Sequence, residues 1–153
     1  LDRCTEGLIA QTAVHVCYSY AMPGVPRPIK PSYRQILAEL ERSNVDQLAL
    51  EFQAPQLDPA LLELCPSKTV LFGCIDNANP AVENSQEIAQ RLLAAAEHHD
   101  PKKLQAAPDC GLVPLTQASA RAKLSALFQG AQLARHLLAD PRGRAHGRHR
   151  HYY

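Results

Sequence analysis

The sequence predicts an α/β domain built on a parallel sheet, and three observations carry that expectation. Short apolar runs rich in β-branched residues recur four times, at residues 12–18, 45–52, 69–75 and 104–107, the last being the weakest. Each is followed by a loop rich in Pro or Asn and then by a segment of helical period, the βα signature of parallel strands. The spacing between runs is roughly 25–36 residues, enough for one strand, one helix and their loops. Finally, 153 residues at 46% hydrophobic content suffice for one core, and a 20% charged fraction is ordinary for a globular domain. The expected organisation is one domain over residues 1–141 and a basic tail over 142–153.

Taken in order, the first run ends in His15-Val16-Cys17 and leads into Met22-Pro23-Gly24-Val25-Pro26-Arg27-Pro28. That loop is long for a βα connection, and reads either as a cover with anion contacts through Arg27 and Lys30 or as a stiff surface excursion. Ser32 is placed to cap a helix whose inner face is Ile36, Leu37 and Leu40. After the second run, Asp58 before Pro59 opens a short helix. Asn84 with Glu87 makes a capping-box-like start for the helix carrying Ile88, Leu92 and Leu93. His98 and His99 are expected to close that helix, where positive charge complements its dipole. The last helix, residues 117–138, is the longest, with Leu124, Leu127, Phe128, Ala131, Ala134 and Leu138 as its expected core stripe.

Composition narrows the setting. No apolar run approaches the ~18–20 residues needed to cross a bilayer, and the first residues lack the order of a secretion signal. Five cysteines, Cys4, Cys17, Cys65, Cys74 and Cys110, read as cytosolic thiols rather than a disulfide framework, so the cytoplasm is the expected location. The formal charge of +1 hides an asymmetry, because Arg142, Arg144, Arg148 and Arg150 crowd the last dozen residues. Residues 1–141 hold 12 Lys and Arg against 15 Asp and Glu, a net of −3 that argues against nucleic acid as a partner. The tail has no apolar periodicity and is expected to be a disordered, solvated extension.

The polar residues of this frame are more informative. Residues i and i+2 of a strand share a face, so His15 and Cys17 point the same way and Val14 and Val16 the other. Glu51 interrupts the apolar end of the second run, Asp76 ends the third, and Asp109-Cys110 follow the fourth. All these groups fall at the carboxyl ends of parallel strands, where α/β sheets and barrels build their active sites. Two Cys, a His and a Glu form a coherent ligand set for Zn2+, because thiolate and imidazole suit this borderline-soft ion and carboxylate is an accepted fourth ligand. Asp76 and Asp109 are weaker catalytic candidates: each reads as an orienting carboxylate or as a cap on the loop after its strand. Cys74 shares a face with Phe72 and Asp76 and reads first as packing, second as a substitute ligand; Cys4 and Cys65 read as incidental.

Together these segments resemble a known family. Thr12-Ala13-Val14-His15-Val16-Cys17-Tyr18-Ser19, the strand-end Glu51, Gly73-Cys74-Ile75-Asp76 with Val82-Glu83-Asn84-Ser85, and Pro108-Asp109-Cys110-Gly111-Leu112 are similar in order, over residues 8–138, to the catalytic domain of cobalamin-independent methionine synthase. The similarity is closer to its shorter core-type relatives, which include zinc enzymes that alkylate other thiols. The resemblance implies a zinc site on His15, Cys17, Glu51 and Cys110. It also implies transfer of a methyl group from 5-methyltetrahydrofolate, often polyglutamylated, to the sulfur of homocysteine, giving methionine. In that chemistry zinc holds the acceptor thiol as a thiolate at neutral pH without a strong base.

Length qualifies the expectation. A (β/α)8 barrel takes ~250 residues, and four βα units resemble its carboxyl-terminal half. Such a half exposes two sheet edges and the inner faces of its strands. The missing units would come from another polypeptide or from a second copy of the chain. The alternatives are alkyl transfer to a different thiol by the same zinc-thiolate chemistry, or a non-catalytic zinc-binding half-domain from a truncated gene.

Overall fold

Each of the four apolar runs forms a strand in the computed structural model, which describes residues 1–17 and 33–140. The strands are β1 (Ala13–Val16), β2 (Gln47–Leu50), β3 (Thr69–Gly73) and β4 (Leu104–Ala107). They pair in parallel in the order β1-β2-β3-β4, with Val16 opposite Leu50, Leu50 opposite Phe72 and Phe72 opposite Ala106. This is the expected half barrel of four βα units. The first three strands stop short of the ends of their apolar runs, so their terminal polar residues emerge just beyond the ladder. β1 follows a short helix, α1 (Asp2–Thr5), and its start is tied to β2 through Thr12, whose N–H and hydroxyl both donate to Asp46 at 2.7 and 3.0 Å. Those donors hold the Asp46 carboxyl below its ordinary value.

Strand periodicity divides the sheet into two unlike faces. Val14, Val16, Leu48, Leu50, Val70, Phe72, Leu104 and Ala106 pack into or against the core beneath the helices. On the opposite face none of Ala13, His15, Gln47, Ala49, Thr69, Leu71 or Gln105 is fully buried. In a closed barrel that second face is the packed interior.

The helices lie on the covered face. α2 (Tyr33–Glu41) buries Tyr33 and Leu37, but Ile36, expected on the inner face, is 38% exposed. A short 3-10 helix, Pro59–Leu64, starts where Asp58 accepts from the Ala60 N–H at 2.9 Å, as expected. α3 (Ser85–Ala95) is capped by Asn84, which accepts from the Gln86 N–H at 2.8 Å. Glu87 lies 3.7 Å from Arg91 instead of closing a capping box. α3 ends before His98 and His99, so neither caps it: His98 pairs with Glu63 at 2.7 Å, and buried His99 donates from Nε2 to the Lys68 carbonyl at 3.0 Å.

α4 (Gln117–Ala139) starts at Thr116, whose hydroxyl accepts from the Ser119 N–H. Its expected core stripe is corrected at two positions, since Leu124 is 47% and Phe128 61% exposed. The buried face is instead Lys123, Ala126, Leu127, Gly130 and Ala134. The reason is close helix approach: a Cβ at Gly130 would lie 2.6 Å from Ile88 Cγ2 and 2.9 Å from the Ser85 carbonyl oxygen. Small residues let α4 press onto α3, and that rotation turns the bulkier Leu124 and Phe128 outward. No helix among the described residues is long and apolar enough to cross a membrane. The Pro-rich loop with Arg27 and Lys30, the Ser32 cap and the basic tail 142–153 lie outside the described residues.

Candidate metal centre

The four expected ligands converge. One ligand atom each from His15, Cys17, Glu51 and Cys110 lie within 4.8 Å of one another. His15 is the third residue of β1, and its Nδ1 stands 3.0 Å from the Ala49 carbonyl oxygen. A carbonyl only accepts, so Nδ1 carries the proton and Nε2 presents its lone pair, the arrangement metal-ligating histidines adopt. Nε2 in turn lies 3.7 Å from Glu51 Oε1. Glu51 follows β2 and is fully buried, and its N–H donates to the Tyr33 hydroxyl of α2 at 3.2 Å. Edge-to-face contact of Tyr33 with Phe52, at 6.4 Å between centroids, seats that hydroxyl.

Cys17 follows β1 and Cys110 lies in the loop after β4, the two outer strands of the sheet, yet their sulfurs are 3.7 Å apart. Two thiolates bound ~2.3 Å from a tetrahedral zinc lie ~3.8 Å apart, so this separation matches one edge of such a site. The pair is too distant for a disulfide, and all five cysteines are free. Sheet curvature and the loop after β4 bring these sulfurs together.

The two aspartates fall in different places. Asp109 is 1% exposed; its Oδ1 accepts from the N–H groups of Phe52 and Gln53, each at 3.0 Å, and its Oδ2 from Ala54 at 2.5 Å. Burial pushes its carboxyl up to about 6, against those donors and with a further push from Glu51. Asp76 is outside the four-ligand group, and its Oδ1 accepts from the Ala78 N–H at 2.8 Å in a turn of its own loop.

Sequence reasoning missed the residues that brace these loops. Lys123, fully buried in α4, donates to Glu83 Oε2 at 2.8 Å and to the Asp76 carbonyl at 3.1 Å. Glu83 Oε1 accepts from the Asp76 N–H at 3.0 Å. Buried Asn77 donates to the Gly111 carbonyl at 3.4 Å, linking this loop to the one carrying Cys110. The available signal was spacing, since Lys123 falls on the same helical stripe as Leu127, Gly130 and Ala134.

Cys74 packs in the core with its thiol 3.5 Å from the Ala107 carbonyl. Burial pushes that thiol up to about 12 and Cys65 up to about 11. Cys4 and Cys17 are exposed and Cys110 half-buried. A disulfide reagent added to the reduced, metal-free protein at neutral pH should therefore modify Cys4, Cys17 and Cys110 quickly. Cys65 and Cys74 should react only after denaturation, and mass spectrometry of the modified peptides separates the two groups.

Comparison with known proteins agrees with the geometry. The family profile described as "Cobalamin-independent synthase, Catalytic domain" matches residues 1–133. A methionine synthase of Pyrococcus abyssi is 30% identical over 146 residues, covering 95% of this chain and 39% of that protein. One from Thermococcus kodakarensis is 29% identical over 140 residues, covering 91% and 38%. A B12-independent methionine synthase from Shewanella sp. W3-18-1, solved in complex with selenomethionine, aligns with a TM-score of 0.81 at 36% identity, over 92% of this chain and 43% of that one. The chain thus spans about two fifths of the length of these relatives. Strand order, the four-residue candidate metal cluster and a match over residues 1–133 agree, and the chain belongs to the cobalamin-independent synthase catalytic-domain family.

Proposed function

We propose that His15, Cys17, Glu51 and Cys110 hold a zinc ion, and that this chain is the metal-binding part of an enzyme that methylates the sulfur of homocysteine to give methionine, with 5-methyltetrahydrofolate as donor. The observation that carries this reading is the convergence of four ligand atoms of suitable chemistry within 4.8 Å. A bound zinc supplies Lewis acidity that lowers the pKa of a thiol, making a sulfur nucleophile available at neutral pH. The chain's own residues do the rest. Ala49 holds the His15 tautomer, Tyr33 anchors the backbone of Glu51, and the loop after β4 delivers Cys110 to Cys17. Glu51 is the hard member of the set, the one that would yield a position to an acceptor thiol, while Cys17, Cys110 and His15 would hold the metal.

A second reading is favoured by the uncovered face of the sheet. A substrate pocket needs walls on several sides, whereas the inner-facing residues of β1 and β2, Ala13, His15, Gln47 and Ala49, are not buried. In this reading the chain binds zinc by itself and turns over only when further βα units close the barrel above the site.

The experiment takes the chain purified under reducing conditions, with zinc counted by elemental analysis and methyl transfer to homocysteine assayed directly. One zinc per chain, with Cys17 and Cys110 protected from the disulfide reagent while Cys4 still reacts, is the expected result. Zinc without turnover selects the second reading. Absence of zinc binding overturns the ligand assignment.

A further inference from the structure

We propose that Asp109 is the positioning residue of this metal centre: it sets the spacing between Glu51 and Cys110 by clamping the backbone of residues 52–54, and position 73 is glycine to let it do so. The inference rests on the ligand assignment above and extends it to residues that touch no metal. β2 and β4, which deliver Glu51 and Cys110, are not neighbours, because β3 runs between them. The Asp109 carboxylate spans that gap. Its backbone N–H donates to the Ile75 carbonyl beyond β3 at 3.0 Å, while its side chain accepts from the N–H groups of Phe52, Gln53 and Ala54 beyond β2. One buried residue, through its backbone N–H and its carboxylate, thereby joins the ends of three strands.

The crossing passes directly against Gly73. A Cβ on Gly73 would overlap Asp109 Oδ1 and lie 2.6 Å from the Leu50 carbonyl oxygen. Any side chain there would push the carboxylate off the three donors. The clamp acts on covalent neighbours of the ligands, since Glu51 precedes Phe52 and Cys110 follows Asp109. Outer groups of this kind orient metal ligands, and their loss commonly weakens metal binding by about 10–100-fold.

Asp109→Asn tests the clamp while nearly preserving shape, because its amide group has one accepting oxygen where the carboxylate has two. Cobalt(II) is the probe, since it absorbs in the visible according to its ligand geometry. The variant is expected to bind cobalt about 10–100-fold more weakly than wild type, with altered cobalt absorption and an unchanged far-ultraviolet circular dichroism spectrum. Gly73→Ala should produce the same change. A third measurement needs no variant: in the metal-free wild type the amide protons of Phe52, Gln53 and Ala54 should exchange slowly with solvent, and rapid exchange of all three overturns the clamp. Equal cobalt affinity and identical absorption in wild type and Asp109→Asn also overturn it. Wild-type protein that binds no cobalt overturns the underlying ligand assignment instead, so the two failures are distinguishable.

Discussion

Cys110→Ser is expected to reduce zinc affinity by more than about 100-fold, beyond the range typical of outer-group changes, and to leave the fold in place. The substitution exchanges one sulfur for oxygen at a half-buried position. A serine hydroxyl stays protonated at neutral pH and is a poor ligand for a borderline-soft ion, so the set drops from two thiolates to one. Cys17→Ser should match it, because both sulfurs bound the same 3.7 Å edge. Cys74→Ser is the control: its thiol faces the core and the Ala107 carbonyl, outside the ligand group, and zinc affinity should not change. Competition with a chromophoric chelator measures all three. Undiminished affinity in Cys110→Ser would remove that residue from the site.

The second large effect is on stability. Lys123→Met removes the cation from a pair in which Lys123 is fully buried and the Glu83 side chain only 9% exposed. Breaking one side of a buried pair strands the remaining charge and costs about 3–5 kcal/mol. The Asp76 carbonyl loses its Lys123 donor as well. Replacing both members, Lys123→Met with Glu83→Gln, removes the stranded charge and should restore much of the loss. Urea unfolding of the two variants against wild type provides the test, read as midpoint shifts at constant slope. A single-variant loss below about 1 kcal/mol would show that water screens Glu83 as it does a surface ion pair.

Local signals located the secondary structure well where chemistry at one position suffices. β4 coincides with its apolar run, Asp58 and Asn84 cap the elements they precede, and α4 ends one residue beyond its expected limit. The candidate ligand cluster was legible for a similar reason. Strand periodicity placed His15 and Cys17 on one face, and strand ends marked Glu51 and Cys110. The failures share a different cause. Leu124 and Phe128 looked like core because an amphipathic reading turns the largest apolar residues inward, whereas helix packing selected the face where Gly130 allows contact with Ile88. For Asp109, read as an orienting carboxylate or a local cap, the backbone it would hold was not legible, because its partners lie more than fifty residues earlier in the chain.

By itself, then, the sequence determined which residues sit at strand ends and which chemistry they offer, because period-two alternation, capping side chains and ligand types are properties of short segments. Long-range packing instead set that Cys17 and Cys110, beyond the two outermost strands, come together, that the buried Asp109 carboxylate holds the backbone after Glu51, and that Lys123 lies in the core beside Glu83. Those outcomes depend on how the sheet curves and how closely α4 approaches α3. Both are set by packing among residues far apart in the chain, which no local pattern records.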